Sequence, residues 1–354
     1  MAQQMEPSVR REALNVMFGE KVATSGELPK TWYPQKLAFH DDGEDATFFA
    51  IKQVEGGPCG CYAAIQAYIL RDLLSNRNRM DSFSDRIDMR RCALASALAS
   101  ILWKARRYSS KNKDGPVFLV IQDDGGKWNY VQPTTMEETA EVIRANYEQI
   151  STAGVVPFTV SIILTKGIDL IKQELVVHDV FQPLVNTDSS DCTQDLVNLY
   201  LTGRACVGLH DEECPNPQSK GVLERQDIGF LSELGHQIGS FYRDPIEPFW
   251  VLNFGHHYTV LYSAADDALN NGETRNDFYW FPGFSDRRYI VFGEPGPGEF
   301  EYEPISEGEK WEYRGVLNCV RSRWTPEAKI ISWRQYGPIP GTEDDGQTSS
   351  GSEK

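Results

Sequence analysis

Gln53-Val54-Glu55-Gly56-Gly57-Pro58-Cys59-Gly60 runs directly into a long apolar, helix-like stretch, Cys61 to Leu74. Two glycines and a proline thus deliver a cysteine to a helix start, where proline is tolerated because its missing N–H would be unpaired anyway. A sulfur at that place feels the positive end of the helix dipole and several unpaired backbone N–H groups. Both favour thiolate over thiol, and the thiolate is the nucleophile. Gln53 lies six positions before Cys59, across the glycine turn. A side-chain amide brought back beside the sulfur is suited to hydrogen-bond a developing oxyanion. A buried structural cysteine is the better expectation for a cysteine chosen at random. The glutamine, the glycine pair and the helix boundary together favour catalysis over it.

The second informative stretch is Pro248-Phe-Trp-Val-Leu-Asn-Phe-Gly-His-His-Tyr-Thr-Val-Leu-Tyr262. Its β-branched and aromatic residues predict a strand, bulged at Gly255. The chain has six histidines, and two of them, His256 and His257, are adjacent here. Neighbouring strand residues point to opposite faces, so at most one of the two can face Cys59. Alternation groups His257 with Asn253, Thr259 and Leu261, and His256 with Tyr258, Val260 and Tyr262. It does not choose between them, and both could be satisfied sheet histidines. A cysteine on an early helix with a histidine on a distant strand is the layout of papain-like cysteine hydrolases.

In these motifs the chain resembles the MINDY family of deubiquitinases, in its larger branch. Gln53-Val-Glu-Gly-Gly-Pro-Cys59 matches the family's Gln-x-x-Gly-Gly-Pro-Cys, and His257-Tyr-Thr-Val-Leu261 its His-[Phe/Tyr]-[Ser/Thr]-Val-Leu, with Pro248-Phe-Trp-Val251 as the usual lead-in. Asp191-Cys-Thr-Gln-Asp-Leu-Val-Asn-Leu-Tyr-Leu-Thr-Gly-Arg-Ala205, Ile238-Gly-Ser-Phe-Tyr242, Leu317-Asn-Cys-Val-Arg-Ser-Arg-Trp324 and Ile331-Ser-Trp333 are similar to further family segments, in the same order. Any one motif alone would be weak; their order over residues 15 to 340 is specific.

The resemblance implies that Cys59 is the nucleophile, that His257 rather than His256 is the general base, and that Gln53 donates to the oxyanion. It implies ubiquitin and polyubiquitin chains as partners, with lysine-forty-eight-linked chains as the substrate class. A ubiquitin-binding pseudoenzyme and another Cys–His hydrolase or acyl transferase are the competing functions. Cys61 stands two after Cys59, where the family has an aliphatic residue, and is expected to be an incidental thiol. No second pair at zinc-type spacing accompanies it, so neither a metal nor a cofactor is expected. The region after His257 is short and lacks the large insertions known in relatives. Asn276 and Asp277 open the next strand-like run and are candidates to orient the histidine. Asn and Asp at a strand start are more often turn residues, so neither joins the site.

Asp and Glu number 51 against 35 Lys and Arg, a formal charge of -16. Nucleic acid, which wants a basic face, is not expected as a partner. An acidic groove would attract the two arginines that precede ubiquitin's terminal diglycine, although acidity also serves solubility alone. Seven cysteines with no apolar leader at the start suggest a reducing compartment, hence the cytosol with nuclear access open. No run approaches roughly 18 uninterrupted apolar residues, so no membrane span is expected.

Residues 1 to 14 are polar and expected to be loose, residues 15 to 340 form the MINDY-like catalytic domain, and residues 341 to 354 a disordered acidic tail. Leu28 to Phe39, with Trp32 and Leu37, packs early. Helices are expected over the nucleophile run, over Cys92 to Lys104, over Met136 to Ile150 opened by Thr134 and Thr135, and over Asp191 to Leu201 ended by Thr202-Gly203. Gly115 to Ile121 and Trp128 to Gln132 read as paired strands, and strands dominate from Pro248 on, with a loop at Gly293-Glu-Pro-Gly-Pro-Gly-Glu. The fold class is α+β, a papain-like variant with the nucleophile helix packed on a mainly antiparallel sheet.

Overall fold

The computed structural model of the chain describes residues 2–335 except 34, 41–48, 76–84, 110–113, 124, 207, 212–220, 234–237, 264–274, 283–287, 294–300, 303–309 and 325–328. The acidic tail, and the loop after Gly293, lie outside the described residues. The expectation of a loose start is corrected. Gln3–Gln4 (β1) joins a small sheet, and Pro7–Phe18 (α1) is a helix burying Ala13, Leu14, Val16 and Met17. Pro7 sits in its first turn, where it costs no hydrogen bond. The apolar residues that dock it begin before the boundary drawn from polarity.

Glu20–Ser25 (α2) precedes a 3-10 turn, Lys30–Trp32, that buries Trp32 edge-on to Phe18 at 5.2 Å. The nucleophile run is Cys59–Ser75 (α3), in which Ile65, Ala67, Tyr68, Ile69, Leu70 and Leu73 are all buried. A helix apolar on every side must lie inside the protein. It packs on Arg86–Arg107 (α4), longer at both ends than expected. Asp85 caps α4 by accepting from the Ile87 N–H at 2.8 Å, and Lys104, Arg106 and Arg107 meet the negative end of its dipole.

Leu119–Gln122 (β2) and Trp128–Val131 (β3) pair antiparallel as expected, with β1 on the outer side of β3. The helix expected over Met136 to Ile150 divides at Asn146 into Met136–Ala145 (α5) and Tyr147–Ala153 (α6). Val155–Lys166 (α7) follows, almost wholly buried, then Ile168–Glu174 (α8). Val176–Val177 (β4) and Val180–Phe181 (β5) make a short hairpin. Gln194–Thr202 (α9) starts at a Thr193 cap and ends at Gly203 in the left-handed conformation. The buried Glu174 carboxylate ties these helix ends together, 3.1 Å from Lys166 Nζ and 3.7 Å from Arg204 Nε.

The second half of the chain builds the main sheet from Gly229–Ser232 (β6), Phe249–Phe254 (β7), His257–Tyr262 (β8), Arg275–Phe281 (β9), Arg288–Gly293 (β10), Glu301–Tyr302 (β11) and Lys329–Gln335 (β12). Its order is β11-β12-β10-β9-β8-β7-β6, antiparallel through the centre and parallel at both edges. Ser240–Arg243 (α10) sits beside β6. Alternation divides the sheet's side chains. Val251, Val260 and Tyr262 join the core that includes α3, whereas Trp250, Leu252, Phe254 and Leu261 pack with Val316, Cys319 and Val320 of Lys310–Arg321 (α11). Gly315 lets α11 approach that closely, since a Cβ there would overlap the Phe254 ring. The architecture is α+β, with the sheet between α3 and α11. No single helix among the described residues is long and apolar enough to cross a membrane.

Candidate active site

The stretch Pro248 to Tyr262 is two strands rather than one bulged strand. Phe254 pairs with His257, and Gly255 (φ 52) and His256 (φ 63) form the two-residue turn between them. Positive φ at both central residues is the turn whose twist matches antiparallel strands. The expectation that the histidines share a strand and face opposite ways is therefore corrected: His256 is exposed in the turn, and His257 is the first residue of β8.

The loop before Cys59 is held from several sides. Gln35 donates to Thr31 O at 2.7 Å and Glu55 O at 3.0 Å. Gln66, buried on α3, accepts from the Ile51 N–H at 2.9 Å and donates to Phe49 O at 3.0 Å. Gly57 has φ 92, and a Cβ there would stand 2.9 Å from Thr31 Oγ1, so this position requires glycine. Gly56 faces open space. Cys59 is then the first residue of α3, where the sulfur meets the unpaired N–H end of the helix.

Cys59 is 6% exposed, and the groups that act on its thiol are the Cys192 side chain, His257 and the Tyr258 backbone. Cys192 acts most strongly, and together with His257 it outweighs burial, holding Cys59 well below the ordinary thiol value. Cys61 has the opposite fate. It is fully buried, burial pushes its thiol far up, and nearby Tyr200 does not compensate. Two cysteines one residue apart thus differ in reactivity through environment alone.

Burial pushes His257 down, but the bond and charge of Cys59, the Pro282 carbonyl and Glu312 outweigh it and hold the ring above the ordinary imidazole value. Its Nε2 lies 3.1 Å from Pro282 O. A carbonyl only accepts, so Nε2 carries the proton. Trp311 of α11 walls the ring at 6.2 Å between centroids. Cysteine down and histidine up describe one proton resting on the imidazole, a thiolate beside an imidazolium. Such a pair can attack an acyl carbon and then protonate the leaving group.

Gln53 is buried and lines a small recess with Cys59, Tyr62 and Tyr258. One hydrogen of its amide goes to Glu55 O at 2.8 Å, so the side chain also braces the glycine turn. An amide has two donors, and the second remains. Asn276 and Asp277 are far from the histidine along the sheet. β8 and β9 pair Val260 with Phe281 and Tyr262 with Tyr279, whereas Asn276 and Asp277 stand opposite Phe292 and Val291 of β10. A main-chain oxygen, that of Pro282, holds the His257 ring, and no side-chain pattern announces it. Cys192 was also not singled out by sequence; its only signal was a cysteine one residue before a helix-capping threonine. Among the described residues no group of His, Cys, Asp and Glu could hold a metal ion.

The family model described as "Deubiquitinating enzyme MINDY-3/4, conserved domain" matches residues 15–334. The chain is similar to a "Probable ubiquitin carboxyl-terminal hydrolase MINDY-4" of Xenopus tropicalis, 26% identical over 359 residues, covering 93% of this chain and 46% of that protein. Similarity to the Homo sapiens protein of the same name is 26% over 361 residues, covering 94% and 46%. A "Ubiquitin carboxyl-terminal hydrolase MINDY-3" of Xenopus tropicalis is 30% identical over 251 residues, covering 60% of this chain and 56% of that protein. The chain spans about half the length of the curated relatives it matches. No solved structure matches it.

Proposed function

Because the chain belongs to the MINDY-3/4 family of deubiquitinating enzymes, we propose that it is a cysteine isopeptidase of papain-like design acting at the ubiquitin C-terminus. The observation that carries this is the placement of Cys59 at the start of α3, which packs on the strand that His257 opens, with the thiol down and the imidazole up. The Cys59 thiolate attacks the carbonyl of ubiquitin's last glycine. The second amide hydrogen of Gln53 and the Cys59 backbone N–H stabilise the tetrahedral oxyanion. Collapse of that intermediate expels the lysine amine, which takes its proton from His257. Neutral His257 then activates water, which attacks the thioester, releases ubiquitin and returns the proton to the pair. Gly56, open on its outer side, and Gly57 suit a narrow channel that admits a diglycine tail. Residues 15 to 340 make the catalytic domain, and lysine-forty-eight-linked chains are the substrate that the family suggests. The acidic charge of -16 favours the arginines of the ubiquitin tail.

Ubiquitin carrying a C-terminal electrophile tests this. The expected result is a covalent adduct of one ubiquitin mapped to Cys59, absent in Cys59→Ala. No adduct under conditions where ubiquitin binds would point to a pseudoenzyme, and an adduct with no chain cleavage to another acyl-transfer chemistry.

Gln53→Ala separates the two duties of that side chain. An oxyanion donor acts on the transition state more than on bound substrate. Its removal lowers turnover on the order of 100- to 1000-fold with ubiquitin affinity nearly unchanged. Gln53→Glu is at least as damaging, because it sets negative charge against the oxyanion. A residue that only braces the Glu55 carbonyl would instead lose melting temperature and affinity together. Turnover, affinity and melting measured on one preparation decide, and unchanged turnover removes Gln53 from the site.

A further inference from the structure

Cys192 lies 132 residues beyond Gly60 in sequence yet is built into the mouth of α3. Its backbone N–H donates to Gly57 O at 2.9 Å, which fixes its main chain to the glycine turn. Its sulfur accepts the Gly60 N–H at 3.3 Å, one of the free donors of the helix start. Gly60 has to be glycine for this to hold, since a Cβ there would stand 2.8 Å from the Cys192 sulfur and would also overlap Val197. The Gly60 N–H belongs to the residue after Cys59, so the two cysteines share the mouth of α3. The seat is 7% exposed, so water does not compete for it.

We propose that Cys192 holds the nucleophile as thiolate: the Gly60 N–H polarises the Cys192 thiol, whose S–H donates to the Cys59 sulfur. The direction of the bond follows from the surroundings. Cys59 opens α3 and has His257 on its side, whereas Cys192 is buried, and the neighbouring Cys59 sulfur and burial both keep its own proton on. A hydrogen bond that accepts one proton and passes on another is strengthened by both, and more so in a dry interior. Among the described residues the titratable groups around the pair are His257 and Tyr258 on β8 and Cys61 on α3, with Asp195 of α9 acting on Tyr258 and Glu312 of α11 on His257. None of them replaces a donor aimed at the Cys59 sulfur from the α9 side. The inference rests on Cys59 being the reactive sulfur, and it adds a positioning residue that the Cys–His–Gln set does not contain.

The test is the pH profile of Cys59 alkylation by iodoacetamide, read by mass spectrometry of its peptide, in the wild type, Cys192→Ala and Cys192→Ser. A hydrogen bond to a charged group shifts a pKa by roughly one to two units, and a thiol is a weak donor, so the lower figure applies. In Cys192→Ala the profile moves up by about one pH unit, and alkylation on its acid side slows roughly tenfold. Cys192→Ser, which keeps a donor, returns the profile towards the wild type. Melting temperatures are taken alongside; should the alanine variant not fold, Cys192→Val fills the site without a donor and serves the same comparison. An alanine or valine profile that superimposes on the wild type overturns the proposal. So does a serine profile displaced as far as alanine, which would assign the residue to packing. Alkylation needs no ubiquitin, so failure of the deubiquitinase reading would show only in the ubiquitin probe and would leave this shift in place.

Discussion

Cys59→Ala ends polyubiquitin cleavage, with turnover falling on the order of 10^4- to 10^6-fold, as for other enzymes stripped of their nucleophile. The substitution removes one sulfur from the first residue of α3 and adds no volume, so melting temperature and ubiquitin affinity stay close to the wild type. Cys61 cannot stand in. It is fully buried, and burial holds its thiol far up. Cys192 cannot either, because the neighbouring Cys59 sulfur and burial keep it protonated. A gel assay on lysine-forty-eight-linked chains with a melting curve on the same sample suffices. Persistent cutting by the alanine variant would mean that the nucleophile lies elsewhere.

His257→Ala costs roughly 10^2- to 10^4-fold in turnover, the range for loss of a general acid–base group. His256→Ala, in the exposed turn, leaves turnover within a fewfold. The reverse ranking of the two variants would sink the assignment. The pH dependence carries a second check. The competent form is thiolate with imidazolium, so kcat/KM rises with pH as Cys59 loses its proton, below the ordinary thiol value, and falls as His257 loses its proton, above the ordinary imidazole value. Removing His257 takes away a positive charge from beside the sulfur. The Cys59 alkylation profile then moves to higher pH. If it stays in place, His257 is not the partner of the sulfur.

The cysteine half of the site was legible in the sequence because its causes are local. Gly57 needs positive φ, Pro58 suits the first turn, and an apolar run follows at once, so Gln53 and Cys59 can be placed from neighbours alone. The histidine half was less so. Histidine tolerates the left-handed region better than most side chains, but it is not the asparagine or glycine that advertises a two-residue turn. The hairpin at Gly255-His256 therefore read as one strand. Family resemblance chose His257 where alternation could not, and the structure brings that residue to Cys59. Helix α7 escaped notice because it is apolar on all sides and shows no period. The division at Asn146 has neither proline nor glycine to mark it. Cys192 and the Pro282 carbonyl become neighbours of the site only through the tertiary fold, the first from across the chain and the second as backbone.

The wall that Trp311 gives the His257 ring has a consequence for the timing of synthesis. Cys59 leaves the ribosome almost two hundred residues ahead of His257, and α11 follows about fifty later. At the usual speed of translation the cysteine waits roughly 10 to 40 s for its base. During that interval it has neither the imidazole nor the Cys192 thiol beside it for much of the time, and behaves as an ordinary, mostly protonated thiol. The sulfur gains its base only once β8 has joined the sheet, and the Trp311 wall is added after that.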